Sequence, residues 1–289
     1  MEFLTLENFL KKFYELNKSH LENVYSGISF NRLKQDLKIF LREEDAILDR
    51  LYLPSSSSKV NEFCHALLDG TPLEYITHEA YFYKSSFFVN EHVLIPRNET
   101  EILVEMAVNE IGDQTARILD LGTGSGAIVL SILMDLKNPI EAVASDLSQD
   151  ALKVARKNYF EHQYKISNAH QITFIQSDKF EKIEGIFDFI FSNPPYIKRT
   201  ADLDAVHDSV KKLEPHLALY LDDEIYDQWF IDFFKGIDKH LKKAGVAIVE
   251  GHEDHLINLQ KIASKVGPFN VIVVKDYTNR DRFLKITKN

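Results

Sequence analysis

Short apolar runs alternate with amphipathic stretches from residue 116 onward. The runs share a length of six or seven residues and many β-branched or aromatic side chains: ARILDL (116–121), IEAVASD (140–146), ITFIQSD (172–178), FDFIFSN (187–193), GVAIVE (245–250), NVIVVKD (270–276) and RFLKIT (282–287). Helical spacing of apolar residues is clearest at 148–163 and 228–244. Strands that alternate with helices predict an α/β fold whose parallel sheet is covered on both faces. Because no helix separates the last two runs, they are predicted to form an antiparallel hairpin.

The first 70 residues show helical periodicity instead. One apolar stripe comprises Leu33, Leu37, Phe40, Leu41, Ile47, Leu48 and Leu51, and a second comprises Val60, Phe63, Cys64, Leu67 and Leu68. The serine run at 55–58 predicts a loop and a helix start, and Gly70 predicts a helix end. We therefore predict a small helical domain at 1–74.

The segment 75–95 is rich in aromatic and β-branched residues, which predicts a β-hairpin that links two domains. The second domain is then expected to span 96–289. No internal repeat is evident in the sequence.

Composition narrows the class of protein. The 289 residues are 45% hydrophobic, which is typical of a globular protein with a buried core. The net charge of −10 argues against a protein that binds nucleic acid mainly through its phosphates, and it allows a basic protein partner. The acidic N-terminus does not resemble a signal peptide and no apolar run is long enough to span a bilayer, so a cytoplasmic protein without membrane contact is expected. Cys64 is the single cysteine. His252 and His255 lack an evident third ligand, so no metal site is predicted.

A glycine-rich loop, ILDLGTGSGAI at 118–128, follows the first strand of the second domain. Gly122, Gly124 and Gly126 would let the backbone turn sharply and approach a ligand closely. Together with Thr123 and Ser125 they are the candidate cofactor-binding residues of this loop. Asp146 ends the next strand and can accept hydrogen bonds from both ribose hydroxyls of a nucleoside cofactor. The pattern suits NAD and S-adenosylmethionine alike, and a tight turn without ligand is the plain alternative.

Four further residues bear on the cofactor. A carboxylate at Asp120 would repel a pyrophosphate but could meet the ammonium of a methionine moiety, which favours S-adenosylmethionine. Asp178 could accept from an adenine amino group, or could cap a helix. Lys179 and Phe180 are weaker candidates for the wall of the adenine slot.

The tetrapeptide Asn193-Pro194-Pro195-Tyr196 ends the fourth strand, on the rim where ligands of open α/β sheets bind. The carboxamide oxygen of Asn193 and the carbonyl of Pro194 can together accept both N–H groups of a planar amine or amide. The two prolines make this turn rigid, and Tyr196 offers a flat face to a planar substrate group. The arrangement predicts N-methylation, and a strand-ending turn is the alternative.

These residues together resemble the HemK/PrmC family of peptide chain release factor glutamine N5-methyltransferases. The resemblance extends from about residue 60 to the end, through GTPLEYI (70–76), LIPRNETEILVE (94–105), LEPHLAL (213–219), VEGH (249–252) and KDYTNRDR (275–282). It implies a Rossmann-like class I methyltransferase sheet of seven strands, with its last hairpin antiparallel, and a small N-terminal helical domain.

The family transfers a methyl group from S-adenosylmethionine to the glutamine of the Gly-Gly-Gln loop in class 1 release factors, which promote peptide release on the ribosome. The resemblance implies that the glycine loop and Asp146 bind the cofactor and that the tetrapeptide holds the glutamine amide. Arg97 and Thr100 would lie near the cofactor, or would pair with a carboxylate and cap the following helix. The helical domain would dock the release factor.

One departure concerns Lys179, which stands where relatives often have an aromatic residue; Phe180 could take that role. Two other functions stay open at this point. Adenine N6-methylation of DNA or RNA would suit the same tetrapeptide, with the flipped base stacked on Tyr196. A non-catalytic protein that binds S-adenosylmethionine and docks release factors is the third hypothesis.

Overall fold

The chain forms two compact units in its computed structural model, which describes residues 5–41, 57–205 and 208–289. The first unit contains the described residues up to Glu79 together with 208–213. The second contains the described residues from Ala80 to 205 and from Glu214 to Asn289. The boundaries expected from the sequence, at 1–74, 75–95 and 96–289, assumed continuous segments and stay a prediction.

The helices have the following bounds: α1 (Leu6–Val24), α2 (Phe30–Leu41), α3 (Ser57–Leu68), α4 (Leu73–Thr77), α5 (Glu101–Ile111), α6 (Ala127–Asp135), α7 (Gln149–His162), α8 (Asp208–Leu213), α9 (His216–Leu219), α10 (Tyr226–His240) and α11 (Leu256–Val266). A 3₁₀ turn at Asn98–Thr100 precedes α5. Among the described residues, no helix is both long and apolar enough to cross a membrane.

The strands have the following bounds: β1 (Glu79–Phe82), β2 (Ser85–Phe88), β3 (Ala116–Leu121), β4 (Ile140–Asp146), β5 (Gln171–Gln176), β6 (Phe187–Ser192), β7 (Ile197–Lys198), β8 (Tyr220–Leu221), β9 (Leu241–Glu250), β10 (Phe269–Lys275) and β11 (Asp281–Lys288). All seven strands that the apolar runs predict are present, within a few residues at each end.

The helical unit has its own apolar core. Leu33 and Leu37 of α2 meet Val60, Phe63 and Leu67 of α3, and all five are fully buried. Cys64 is also buried, as the stripe predicts. The prediction is wrong for Leu68, which is 36% exposed at the end of α3. Ile47, Leu48 and Leu51 lie outside the described residues.

The second unit is built on a seven-stranded sheet in the order β10-β11-β9-β6-β3-β4-β5. The strands from β9 to β5 pair in parallel, whereas β11 runs antiparallel to both β9 and β10. The predicted α/β class and the antiparallel final hairpin are both confirmed. β4 and β6 lie on either side of β3, and both pair with it in parallel. The carboxyl ends of these three strands therefore lie side by side at one edge of the sheet.

Both faces of this sheet are buried. Because successive side chains of a strand point to opposite faces, neighbouring residues pack into different clusters. Ile118 of β3 packs with the cluster that includes α5 and α6, whereas Leu119 packs with the cluster that includes α10 and α11. The buried alternation explains why these strands form near-continuous apolar runs in the sequence.

Two elements are shorter in the structure than the sequence patterns predict. The hairpin occupies only residues 79–88, since 73–77 are helical and His78 ends that helix with a φ of 57°. The helical stretch expected at 228–244 ends at His240, because Leu241 already pairs with Phe187 in the sheet. At Leu241, pairing with a distant strand outweighs the local helical periodicity.

Candidate active site

The glycine-rich loop connects β3 to α6 with three residues in the left-handed region: Gly122 (φ 76°), Gly124 (φ 55°) and Gly126 (φ 82°). At Gly126 a Cβ atom would lie 3.1 Å from Leu130 Cδ1 and 3.3 Å from Ala155 Cβ. A side chain here would therefore be strained in its own backbone and would also crowd α6 and α7.

Asp146, at the end of β4, holds this loop in place. Its Oδ2 accepts a hydrogen bond of 2.9 Å from the Gly124 N–H, and its Oδ1 accepts one of 2.9 Å from the Ser148 N–H. Burial raises the pKa of the Asp146 carboxyl, although these backbone donors act in the opposite direction. The carboxylate also faces the cavity described below.

Asp120 lies beneath the loop and not in the cavity wall. It is fully buried, and its Oδ2 accepts a 2.6 Å hydrogen bond from the Thr123 hydroxyl. Its Oδ1 has no hydrogen-bond partner among the described residues. Burial raises the pKa of this carboxyl to about 7. The contact with a methionine ammonium stays a prediction.

A cavity of about 240 Å³ opens at the carboxyl edge of the sheet. Its walls include the sequence-predicted residues Arg97, Thr100, Gly122, Thr123, Gly124, Ser125, Asp146, Asp178, Lys179, Asn193, Pro194 and Pro195. Residues from five separate segments of the sequence thus meet around one space, and apolar side chains such as Leu147 and Leu217 complete the wall.

An aromatic pair forms one side of this cavity. Trp229 and Phe233, one turn apart on α10, stack with ring centroids 5.3 Å apart, and both contact the cavity. The Lys179 ammonium lies 5.1 Å from the centre of the Trp229 ring. The prediction that Phe180 takes the aromatic role is wrong, because its ring packs against Phe233 and stacks on His240 outside the cavity wall.

The tetrapeptide 193–196 continues directly from β6. Asn193, Pro194 and Pro195 line the cavity, and a Cβ on Gly122 would lie 3.9 Å from the Asn193 carbonyl oxygen. The two prolines fix two successive φ angles, which restricts the directions of the backbone carbonyls in this turn.

Tyr196 points away from this wall. Its hydroxyl lies 3.2 Å from Glu250 Oε1, and its carbonyl accepts a 3.1 Å hydrogen bond from the Tyr226 hydroxyl. Burial raises the pKa of the Tyr196 hydroxyl, as does the neighbouring Glu250 carboxyl. The stacking of its ring on a substrate stays a prediction.

Glu250 is buried at the end of β9, next to β6 in the sheet. Its Oε2 accepts a 2.7 Å hydrogen bond from the Thr100 hydroxyl, which in turn accepts one of 3.1 Å from Asn193 Nδ2. Thr100 occupies the N-cap position of α5, as one alternative predicts, but its side chain makes no capping hydrogen bond to the helix. Burial raises the pKa of the Glu250 carboxyl to about 7.

Arg97 pairs with a carboxylate, as one of its two alternatives predicts. Its Nη2 lies 2.6 Å from Glu214 Oε1, and the Ile95 N–H donates to Glu214 Oε2 at 3.3 Å. Arg97 also lines the cavity, so the ion pair joins the segment before α5 to the segment before α9.

The sequence assigned no functional role to Glu214 or Glu250, and it placed Trp229 in the core. The two glutamates stand in the runs LEPHLAL and VEGH, which carry part of the family resemblance. The available signal was an acidic residue inside an otherwise apolar run. Such a residue is expected to be buried, and a buried carboxylate needs hydrogen-bond or charged partners. Trp229 fell on a helical stripe, which indicates a core position and not a cavity wall.

Comparisons with known proteins agree with this geometry. Residues 97–219 match the Methyltransferase small domain family. The release factor glutamine methyltransferase of Leptospira interrogans serogroup Icterohaemorrhagiae serovar Lai is 35% identical over 282 residues, covering 93% of this chain and 87% of its own. That of Chlorobaculum tepidum is 34% identical over 232 residues, covering 76% of each chain.

A solved structure shares the fold at low sequence identity. The hMettl16 catalytic domain, solved in complex with MAT2A 3'UTR hairpin 6, is 16% identical with a TM-score of 0.56, covering 91% of this chain and 93% of that one. At this identity the likeness concerns the fold alone, which is that of class I methyltransferases.

Proposed function

The chain belongs to the family of release factor glutamine methyltransferases, and from that premise we propose its substrate, cofactor and site residues. It transfers a methyl group from S-adenosylmethionine to the side-chain amide nitrogen of the glutamine in the Gly-Gly-Gln loop of class 1 release factors. The observation that carries the proposal is that Asn193 and Pro194 line the same cavity as the glycine loop and Asp146. A methyl acceptor and a nucleoside donor can therefore meet in one space.

The residues around the cavity suit S-adenosylmethionine. Asp146 offers carboxylate oxygens to ribose hydroxyls, and Asp178 with Lys179, Trp229 and Phe233 offers a partly aromatic slot to adenine. The contact of Asp120 with the methionine ammonium stays a prediction, because this carboxyl is buried beneath the glycine loop and lies outside the cavity wall. The bound cofactor supplies an electrophilic methyl group on a sulfonium.

The chain's own contribution to the reaction is orientation. Asn193 Oδ1 and the Pro194 carbonyl oxygen would accept the two N–H groups of the glutamine amide. Two such acceptors concentrate electron density on the amide nitrogen and fix its lone pair toward the cofactor. Because the prolines hold this turn rigid, little conformational entropy is lost when the amide binds. No strong general base is needed, since the extra proton can leave to water after transfer.

The helical unit is proposed to dock the release factor, as the family resemblance implies. The net charge of −10 suits a partner with a basic surface and disfavours a substrate recognised through its phosphates. This role is independent of the chemistry in the cavity and has its own test. Substitutions on the surface of the helical unit should abolish methylation of the whole release factor and leave methylation of a short Gly-Gly-Gln peptide unchanged.

The decisive experiment is mass spectrometry of a purified class 1 release factor incubated with this protein and S-adenosylmethionine. One added methyl on the Gly-Gly-Gln glutamine is expected. Asn193→Ala should abolish it while leaving the dissociation constant of the cofactor within about threefold, because the carboxamide acts on the substrate amide. Asn270→Ala on β10 is a matched control, since Asn270 is exposed and pairs with Thr287 at the other end of the sheet.

Two outcomes would contradict the proposal. Label on DNA or RNA in a parallel reaction, with none on the release factor, would move the function to adenine N6-methylation. Equal loss of cofactor binding in Asn193→Ala would remove the role assigned to Asn193.

A further inference from the structure

We propose that Glu250 is a positioning residue that sets the orientation of the Asn193 carboxamide through the hydroxyl of Thr100. The inference rests on the proposed function, because it concerns the group that would receive the substrate amide. It adds a reason why the carboxamide presents its oxygen, and not its nitrogen, to the cavity.

Three elements bring the chain of groups together. Thr100 ends the 3₁₀ turn before α5, Asn193 follows β6, and Glu250 ends β9. Thr100 Oγ1 lies 3.1 Å from Asn193 Nδ2 and 2.7 Å from Glu250 Oε2. Thr100 is 4% exposed and Glu250 is 1% exposed, so water is kept from the hydrogen bond between them, whereas the bond from Asn193 is partly buried.

The direction of the hydrogen bonds follows from the carboxylate. An ionised carboxylate accepts hydrogen bonds and donates none. The single hydroxyl hydrogen of Thr100 must therefore point to Glu250, which leaves the Thr100 oxygen to accept from Asn193. The amide nitrogen of Asn193 is thereby turned to Thr100 and its Oδ1 is left for the cavity. A substrate N–H needs an acceptor in that position.

The second oxygen of Glu250 acts on the same tetrapeptide. Oε1 lies 3.2 Å from the Tyr196 hydroxyl, which has one hydrogen to donate. One buried carboxylate therefore holds the first and last side chains of the sequence Asn193-Pro194-Pro195-Tyr196. The prolines restrict the backbone of this turn, and Glu250 restricts the side chains on either side of them.

Other charged groups surround Glu250. Arg282 on β11 favours the ionised form, whereas Glu99 in the turn before α5 opposes it. His252 follows β9 and faces the Tyr196 ring with centroids 6.5 Å apart. Protonation of Glu250 would give the carboxyl a donor of its own, and the Thr100 hydroxyl would then be free to point to either neighbour.

The first test compares Thr100→Val with Thr100→Ser. Valine keeps the shape of threonine without the hydroxyl, and serine keeps the hydroxyl. We expect Thr100→Val to lower kcat for release factor methylation about 10- to 100-fold, as small misplacements of a reacting group do, with the cofactor dissociation constant within about threefold. Thr100→Ser should stay within about threefold of the wild-type kcat. Equal kcat values for the two variants would overturn the proposal.

Glu250→Gln supplies the second test, because a neutral amide can donate and so permits both orientations. The wild-type rate is expected to rise through about pH 7 as Glu250 ionises, and Glu250→Gln should lose this rise. His252→Gln is the control, because the His252 ring lies beside the Tyr196 ring, whose hydroxyl contacts Glu250. A pH rise retained in Glu250→Gln and lost in His252→Gln would assign the effect to the histidine.

A readout independent of activity is the ¹⁵N–¹H signal of the Asn193 side-chain amide, identified by its absence in Asn193→Ala. This signal should shift between pH 6 and pH 8 in the wild type and not in Glu250→Gln. A signal that does not respond to pH in the wild type would contradict the coupling. Failure of the proposed function looks different, since the wild-type protein itself would then leave the release factor unmethylated.

Discussion

Arg97 and Glu214 form an ion pair with a 2.6 Å separation between Nη2 and Oε1, although 117 positions separate them in the sequence. The Glu214 side chain is 1% exposed, whereas that of Arg97 is 32% exposed and reaches the cavity. The pair fixes the segment that carries Arg97 against the segment that carries Pro215 and Leu217. Both segments belong to the cavity wall, so this contact sets part of its shape.

Replacing Glu214 by alanine should destabilise the second unit by about 3 kcal/mol, because it leaves the Arg97 charge and the Ile95 N–H without their acceptor. Urea unfolding measures this change in the free energy of unfolding. Glu224→Ala, at an exposed position, is the control and should change it by less than about 0.5 kcal/mol. Equal effects of the two substitutions would show that the ion pair contributes nothing.

Gly126→Ala should weaken cofactor binding and lower stability by about 1–3 kcal/mol. The substitution places a Cβ at a φ of 82° and within 3.3 Å of Ala155 Cβ, so strain and crowding add. Gly27→Ala separates the two causes, because Gly27 has a φ of 71° with nothing within 4 Å of an added Cβ. If Gly126→Ala costs no more than Gly27→Ala in thermal unfolding, the close approach of α7 is unimportant.

Asp146→Ala should raise the dissociation constant of S-adenosylmethionine at least about tenfold. The substitution removes the proposed acceptors for the ribose hydroxyls and also the hydrogen bond that holds the Gly124 N–H. Isothermal titration calorimetry measures the effect. Asp150→Ala is the control, since the Asp150 side chain is half exposed and pairs with Lys153. An unchanged constant in Asp146→Ala would refute the assignment of Asp146 to the cofactor.

Stability should fall as pH rises from about 4.5 to 7, in part because of Glu250. Burial raises the pKa of this carboxyl from 4.5 to about 7, so the folded protein keeps a proton that the unfolded chain has already lost. The contribution of Glu250 to the free energy of unfolding is complete below the pKa of the unfolded state. It is lost as the pH rises through the pKa of the folded state. Its size is on the order of 3 kcal/mol.

Glu250→Gln removes this titration. The difference in unfolding free energy between Glu250→Gln and the wild type should therefore shift in favour of the variant as pH rises from 4.5 to 8. Parallel pH curves for the two proteins would mean that Glu250 titrates alike in the folded and unfolded states. Asp120, whose pKa burial also raises to about 7, should behave in the same way in Asp120→Asn.

The sequence by itself determined the elements and their order. The seven strands of the sheet are visible as apolar runs because both faces of a parallel sheet are buried. The glycine loop was also visible, since a strand, a turn with left-handed residues and a helix follow one another within one local segment. The rigid turn at Asn193 directly follows an apolar run, so the sequence also placed it at the edge of the sheet where ligands bind.

Only the tertiary structure decided which distant residues meet. Thr100 and Glu250 are 150 positions apart, and nothing in the local pattern of either predicts that one donates to the other. Trp229 lines the cavity although its helical spacing indicates a core residue, and Phe180 packs against Phe233 and His240 although it adjoins the predicted adenine slot. Periodicity reports how a side chain is directed relative to its own helix or strand. Its neighbours are set by the order of strands in the sheet, and that order depends on the packing of the whole unit.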